Sequence, residues 1–333
     1  MNVLIGDIGG TKTILAVYSH ETGPRKALAE MVFPSSDYES LGDMIKEFLA
    51  KAKLPVEQAC FGVAGPVFAK RAKITNLKWV VDGPALQSEF KWSALELLND
   101  VESIAYAIPI ITPEDVHTLS AGDPVDGGAL AILAPGTGLG EGYLIFENGR
   151  YRAHPSEGSH AAFAPVGPLQ IGLLTYLNQQ GYDHVSTERV CSGGLGIPNL
   201  YAYLKSTGLE EPAWLAGQLA ASKDPTPAII AAAQDASCPC KLAADTLDMF
   251  ITILGAEAGN LALEVLSSAG IYLGGGMSSR LLAQLEKPTF LEALRRKGRF
   301  QGLVTRIPVH VILHDRPGML GAAAYGLALP SSG

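Results

Sequence analysis

Hydrophobic positions along the first hundred residues change period in a regular way. The stretch "NVLIGDIGGTKTILAVYS" at 2–19 is two apolar runs around a glycine-rich step, which predicts strand, turn, strand. In "LGDMIKEFLAKA" at 41–52 the apolar residues fall at 41, 44, 45, 48 and 49, the stripe of an amphipathic helix. "ACFGVAGPV" at 59–67 reads as a short buried strand closed by Gly65-Pro66. "SALELLND" at 93–100 reads as an amphipathic helix, or a helix-to-strand passage, ending at Asn99-Asp100. Alternation of this kind predicts an α/β domain with a largely parallel sheet.

A second cycle opens at "GALAILAPGTGLGEGYLIFENG", 128–149, again strand, Gly/Thr turn, strand. Its layout repeats that of the first hairpin although few letters match, and this suggests an internally duplicated fold. Helical stretches follow at 169–180 and 196–206, then a long apolar helix at 242–266. Gly255 and Gly259 inside that helix each cost up to ~1 kcal/mol, so close packing against a neighbour is the expected compensation. "GIYLGGGMSSRLL" at 270–282 predicts strand, glycine turn, helix. No Ser/Pro-rich linker divides the halves; the turn-rich stretch at 112–128 is the expected boundary.

Composition narrows the partners. The 333 residues are 47% hydrophobic and 17% charged, enough apolar material for a sizeable core. The formal charge of −8, from 33 acidic against 25 basic residues, gives no counterion-displacing surface, so no nucleic-acid partner is expected. The opening "MNVLIGDIGG" lacks a basic n-region followed by an apolar h-region, and no uninterrupted apolar run reaches membrane-spanning length. Cys60, Cys191, Cys238 and Cys240 are few and irregularly spaced, as expected of reduced thiols. A cytoplasmic protein without a membrane partner is the expectation.

The glycine turns carry the first candidate chemistry. Asp7-Ile8-Gly9-Gly10-Thr11 lies between two strands, where glycines let backbone amides converge on an anion and Thr11 adds a hydroxyl. It is neither a dinucleotide fingerprint nor a Walker A loop, because a strand and not a helix follows. Asp7 beside such a turn suits Mg²⁺, mostly through water. Gly136-Thr137-Gly138 repeats the device, and Gly274-Gly275-Gly276 offers a third close approach for a nucleotide. Each alone is equally well a structural turn.

Polar pairs carry the second. Glu157 and His160, three apart in "PSEGSHAAF", suit a polyhydroxylated ligand, since together they donate and accept hydrogen bonds. Glu188 precedes Arg189 in "VSTERVCSGGLG", by default a surface ion pair worth ~0–1 kcal/mol. Asn99-Asp100, taken alone, is most economically a polar step that ends a helix.

In their order and spacing, "GDIGGTK", "TNLKW", "LLND", "GTGLG", "EGSH", "STERVCSG", "GGGM" and "HDRPGMLG" together resemble the bacterial ATP-dependent glucokinase family, within the actin-like/hexokinase ATPase superfamily. The likeness runs from Asp7 to Gly321. It implies a duplicated, ribonuclease H-like α/β fold with two domains around a central cleft. The expected division is a small domain at 1–111, completed by a C-terminal helix at about 317–330, and a large domain at 112–316. The likeness implies that Asp7, Gly9, Gly10 and Thr11 form a first phosphate loop and Gly136, Thr137 and Gly138 a second. Gly274, Gly275 and Gly276 match the adenosine segment. Asn99, Asp100, Glu157, His160 and Glu188 match the sugar-binding set, with Asp100 the catalytic base, and Thr75, Asn76 and Trp79 match a loop near the sugar. MgATP, glucose and a homodimeric assembly are implied in the same way. Lys12 stands where the family often has Asn, as also in the related ROK sugar kinases, yet the ROK cysteine pattern for zinc is absent.

The expected reaction is therefore transfer of the γ-phosphoryl of MgATP to the 6-hydroxyl of glucose. Another hexose or amino-sugar kinase stays open, as do a non-catalytic sugar-sensing regulator and an actin-like nucleotide switch.

Overall fold

A computed structural model describes residues 1–74, 77 and 79–330. The chain divides into two compact units, one of Met1–Asp115, Glu147–Pro155 and His314–Gly333, the other of Val116–Phe146 and Ser156–Leu313.

In the first unit, strands β1 (Asn2–Ile8) and β2 (Lys12–Ser19) form the expected hairpin, followed by β3 (Ala29–Pro34), helix α1 (Leu41–Ala52) and β4 (Gln58–Val63). A small antiparallel sheet of β5 (Val67–Phe68), β6 (Arg71–Lys73) and β7 (Val80–Asp82) leads to α2 (Gly83–Phe90), β8 (Ala94–Asn99) and α3 (Asp100–Ala107). The main sheet has the order β3-β2-β1-β4-β8. β1, β4 and β8 run parallel, and their register aligns Ile8 with Val63 and Val63 with Asn99. The C-terminal ends of these strands thus bring Asp7 and Asn99-Asp100 to one end of the sheet, where open α/β sheets bind ligands.

α1 occupies the residues its periodicity predicts. Ser40 caps it by accepting the Asp43 amide, Lys53 ends it in the left-handed region, and Leu41, Met44, Ile45 and Phe48 are buried. Each such side chain contributes about 1.5–3 kcal/mol on burial. These four join Leu4, Leu15 and Phe61 on one face of the sheet. The other face buries Val3, Ile5, Ala16 and Leu98 against Met319, Ala322 and Ala323 of the C-terminal segment.

One expectation is corrected here. Residues 94–99 are not helical: β8 pairs in parallel with β4. Leu95, Leu97 and Leu98 are buried and Glu96 is not, so sheet pairing overrides the helix preference of Leu, Glu and Ala. Asn99 accordingly ends a strand and starts a helix.

The second unit begins with β9 (Val116–Ser120), β10 (Leu130–Pro135) and β11 (Leu139–Glu147); β12 (Arg150–Ser156) follows, all but its last residue in the segment that belongs to the first unit. Helices α4 (Gly167–Gln179), α5 (Thr187–Val190), α6 (Gly196–Ser206), α7 (Ala213–Ala221), α8 (Thr226–Gln234) and α9 (Lys241–Glu264) follow. Then come β13 (Gly270–Leu273), α10 (Gly275–Arg280), α11 (Leu282–Leu285), α12 (Pro288–Arg295), α13 (Gln301–Thr305) and β14 (Val309–Ile312). The chain returns to the first unit with α14 (Pro317–Leu327). The second sheet has the order β12-β11-β10-β13-β14-β9. Its plan repeats that of the first: an antiparallel hairpin, β10–β11, whose first strand continues into parallel neighbours, β13 and β14.

α9 has the length and hydropathy of a membrane span, but 67% of its most apolar window is buried within the fold, as in a core helix. Gly255 and Gly259 do serve close packing. A Cβ at either would run into a carbonyl oxygen of α12, that of Phe290 or Leu294.

Candidate functional site

In the first unit the β1–β2 turn is held from below. Gly9 N–H donates to the Lys12 carbonyl at 3.1 Å, and a Cβ at Gly9 would lie 2.9 Å from that same oxygen. Buried Ser35 donates its hydroxyl to the Gly9 carbonyl at 2.7 Å and its amide to the Thr11 carbonyl at 2.9 Å. Thr13 Oγ1 lies 3.0 Å from Ser35 Oγ. The carbonyls are thus directed inward, while Thr11 and Lys12 are exposed.

Asp7, at the end of β1, has its carboxyl pKa raised by burial and then by the negative charge of Asp100; Lys12 and Arg316 pull it back. A dication would relieve the repulsion between the two acids. Among the described residues no group of three or more His, Cys, Asp or Glu is arranged to hold a metal ion. A lone protein carboxylate is nevertheless adequate for Mg²⁺, which keeps several waters and takes phosphate oxygens as further ligands.

Asn99 caps α3, its side-chain oxygen accepting the Glu102 amide at 2.6 Å. Asp100, exposed at the first position of the helix, accepts the Val101 amide at 2.9 Å through Oδ1. Glu102, two residues on, has its carboxyl raised to about 7, chiefly by burial. Trp79 donates its indole N–H to the Tyr38 carbonyl at 3.1 Å. Thr75 and Asn76 lie outside the described residues.

In the second unit the β10–β11 turn, Gly136-Thr137-Gly138, closes with Gly136 N–H on the Gly138 carbonyl at 2.8 Å. Gly193 and Gly194 donate their amides to the carbonyls of Gly136 and Thr137, each at 2.8 Å. Side chains at 193 and 194 are excluded by this approach: a Cβ would sit 2.7 Å from the Gly136 oxygen or 2.8 Å from that of Thr137. Gly275, with φ of +76°, lies against the Pro135 carbonyl, and the Gly274 amide donates to Leu133 at 2.7 Å. These approaches frame a cavity of about 240 Å³ lined by Gly136, Thr137, Gly193, Thr226, Gly276 and Arg280, among others. Two of the glycine segments singled out in the sequence are thereby brought together. Gly193, Gly194, Thr226 and Arg280 were missed; the Gly-Gly pair after Ser192 was the available signal.

Glu157, His160 and Glu188 also converge. His160 Nε2 lies 3.6 Å from Glu157 Oε2, and its Nδ1 lies 3.4 Å from Glu188 Oε2. The loop carrying the first two is fixed by Ser156 Oγ, which accepts the Gly158 amide at 3.0 Å, and by His184 Nε2, 2.9 Å from the His160 carbonyl. Glu188 stands on short α5, capped by Ser186. The default ion pair with Arg189 is corrected: Glu188 faces His160, and the Arg189 guanidinium stacks 4.1 Å from the Tyr182 ring. Glu188 also reaches the phosphate-type turn, since a Cβ at Gly138 would lie 2.7 Å from its Oε1. An imidazole between two carboxylates can grip adjacent hydroxyls, accepting from some and donating to others.

The Glucokinase family model matches residues 4–328. A glucokinase of Trichormus variabilis is 40% identical over 336 residues, covering 96% of this chain and 97% of its own. The crystal structure of a glucokinase from an Antarctic psychrotroph superposes with a TM-score of 0.81 at 28% identity, covering 98% of each chain. A ROK family glucokinase from Streptomyces griseus, solved with glucose and AMPPNP, gives 0.62 at 22% identity over 98% of this chain and 99% of its own, a likeness of fold.

Proposed function

Because this chain belongs to the glucokinase family and has the actin-like ATPase fold, we propose that it phosphorylates glucose at the 6-hydroxyl with MgATP, Asp100 acting as general base. The products are glucose 6-phosphate and ADP. The observation that carries the sugar-kinase reading is the Glu157–His160–Glu188 array. A nucleotide switch has no use for two carboxylates around an imidazole, whereas a hexose presents hydroxyls that match them.

Phosphoryl transfer asks the protein mainly for alignment and charge neutralisation. Backbone amides of Gly10, Thr11, Thr137 and Gly138 serve the phosphates in this reading, Gly9 and Gly136 close the two turns, and Gly274, Gly275 and Gly276 approach the adenosine. Asp7 is the residue that would hold Mg²⁺. Bound Mg²⁺ supplies charge neutralisation at the phosphate oxygens. Asn99 spends its side-chain oxygen on the α3 cap, so its NH₂ is the group that binds a sugar hydroxyl. Val101 N–H on Oδ1 sets the orientation of the Asp100 carboxylate, which takes the proton of the 6-hydroxyl as the phosphoryl group arrives. Glu157, His160 and Glu188 hold the remaining hydroxyls, with Thr75 and Asn76 assigned to the same task by resemblance. A cytoplasmic homodimer completes the proposal.

Asp100→Ala tests it. In a coupled assay of ADP release with glucose, kcat should fall by ~10²–10⁴, the range for loss of a general base. Unchanged glucose-dependent turnover would sink the assignment. Running the wild type against a panel of hexoses and phosphoryl donors defines the acceptor and donor in the same experiment.

A further inference from the structure

Behind the loop that carries Glu157 and His160 lies an acid that the proposed chemistry does not use. Glu141, on β11, is 1% exposed, and its Oε1 is buried without a hydrogen-bond partner among the described residues. Its Oε2 abuts Gly158: a Cβ there would lie 2.5 Å from that oxygen and 3.1 Å from Ser156 Oγ. Burial raises the Glu141 pKa, and Glu257, on α9, acts on this carboxyl through its charge to raise it further. Packing alone does not call for an acid here, since burying a carboxyl costs free energy that an apolar side chain would not.

We propose that Glu141 is a positioning residue for the sugar loop: its buried carboxyl, packed on Gly158, keeps Glu157 and His160 where the hexose needs them. This rests on the reading that Glu157 and His160 bind the sugar. A carboxyl buried near a second acid is tolerated chiefly while it keeps its proton. Burial, reinforced by Glu257 and then Glu264, raises the Glu141 carboxyl to about 8. Glu257 is itself raised by burial and by Glu264, against the hydrogen bond from Asn260 and the charge of Lys297. Lys297 donates to the Ala256 carbonyl at 2.8 Å and lies 2.5 Å from Asn260 Oδ1. The remaining titratable neighbours are buried Cys191, held protonated by burial, and the loop's own Glu157 and His160. Above about pH 8 Glu141 ionises, and a charged carboxylate packed on Gly158 no longer holds the loop in place.

The test is glucose kinetics at saturating MgATP from pH 6.5 to 9 on the full chain. In the wild type, KM for glucose should rise about tenfold between pH 7 and pH 9 while kcat changes less than threefold. Glu141→Gln keeps the shape of the side chain and stays neutral, so it should lack that rise. Glu141→Ala should show a KM about tenfold higher already at pH 7, with KM for ATP unmoved. Coincident wild-type and Glu141→Gln profiles overturn the proposal, as does an unmoved KM in Glu141→Ala. Should the Ala variant fail to fold, the Gln comparison decides alone. His160→Ala separates this proposal from the reading beneath it. An unmoved glucose KM in that variant removes the sugar-loop assignment; a raised one, with coincident profiles, removes only the role of Glu141.

Discussion

The side-chain oxygen of Asn99 accepts the Glu102 amide at 2.6 Å, so the residue is a helix cap whatever else it does. Capping and chemistry were rival readings of Asn99-Asp100 in the sequence, and the geometry makes them compatible. The cap fixes the first turn of α3, and the first turn presents Asp100. A similar economy holds at Ser35, whose hydroxyl and amide fasten the Gly9 and Thr11 carbonyls. Ser35→Ala removes the hydroxyl bonds, each worth about 0.5–1.5 kcal/mol. KM for ATP is expected to rise three- to tenfold, with KM for glucose within twofold. Initial-rate kinetics with each substrate varied would measure this, and an unaltered KM for ATP would refute the bracing role.

At the scale of elements, helix contacts made through glycine are the most exacting feature. α14 packs on α3 so closely that a Cβ at Gly321 would overlap the Ser103 carbonyl. Gly321→Ala must push the two helices apart, a type of overpacking that costs about 1–3 kcal/mol. The urea midpoint should drop accordingly, and a midpoint equal to that of the wild type would show that the interface yields freely. Legibility also divides at this scale. The hairpins and α1 were readable because their signal lies within a dozen residues. β8 was not, because "ALELLN" is built from helix formers and becomes a strand only by pairing with β4, some 36 positions earlier. The candidate site divides in the same manner. Asp7, the glycine turns and the Glu157–His160 pair are local motifs. Ser35 and His184 act on carbonyls 26 and 24 positions away, and Glu141 acts through Gly158, so no local pattern marks them.

For the molecule as a whole, the repeated plan of the two sheets means that each unit offers a glycine turn beside parallel strand ends. Its buried acids also set how stability varies with pH. Glu102 and Glu141 are raised to about 7 and about 8, both chiefly by burial. A raised carboxyl contributes most below its unfolded value near 4.5, and that contribution is lost as pH climbs through the folded one. For fully buried Glu141 the loss is about 1.4 kcal/mol per pH unit across that window. Asp115 has the opposite sign. Its hydrogen bond from Arg25 lowers its pKa, so its contribution is lost only as pH falls below about 4, and solvent around Arg25 keeps it small. The urea midpoint is therefore expected to fall between pH 5 and pH 8. A Glu102→Gln, Glu141→Gln double variant should flatten that slope, whereas an equal slope in both proteins would show that these acids are not the cause.

The contact between Gly138 and Glu188 has a consequence for anyone altering the acceptor range. A library that varies position 188 to admit a different sugar also varies what the 136–138 turn leans on. The two positions are epistatic by contact. Larger residues at 138 become admissible only with shorter ones at 188, so productive variants lie along a diagonal of paired changes and are invisible to single-site scanning.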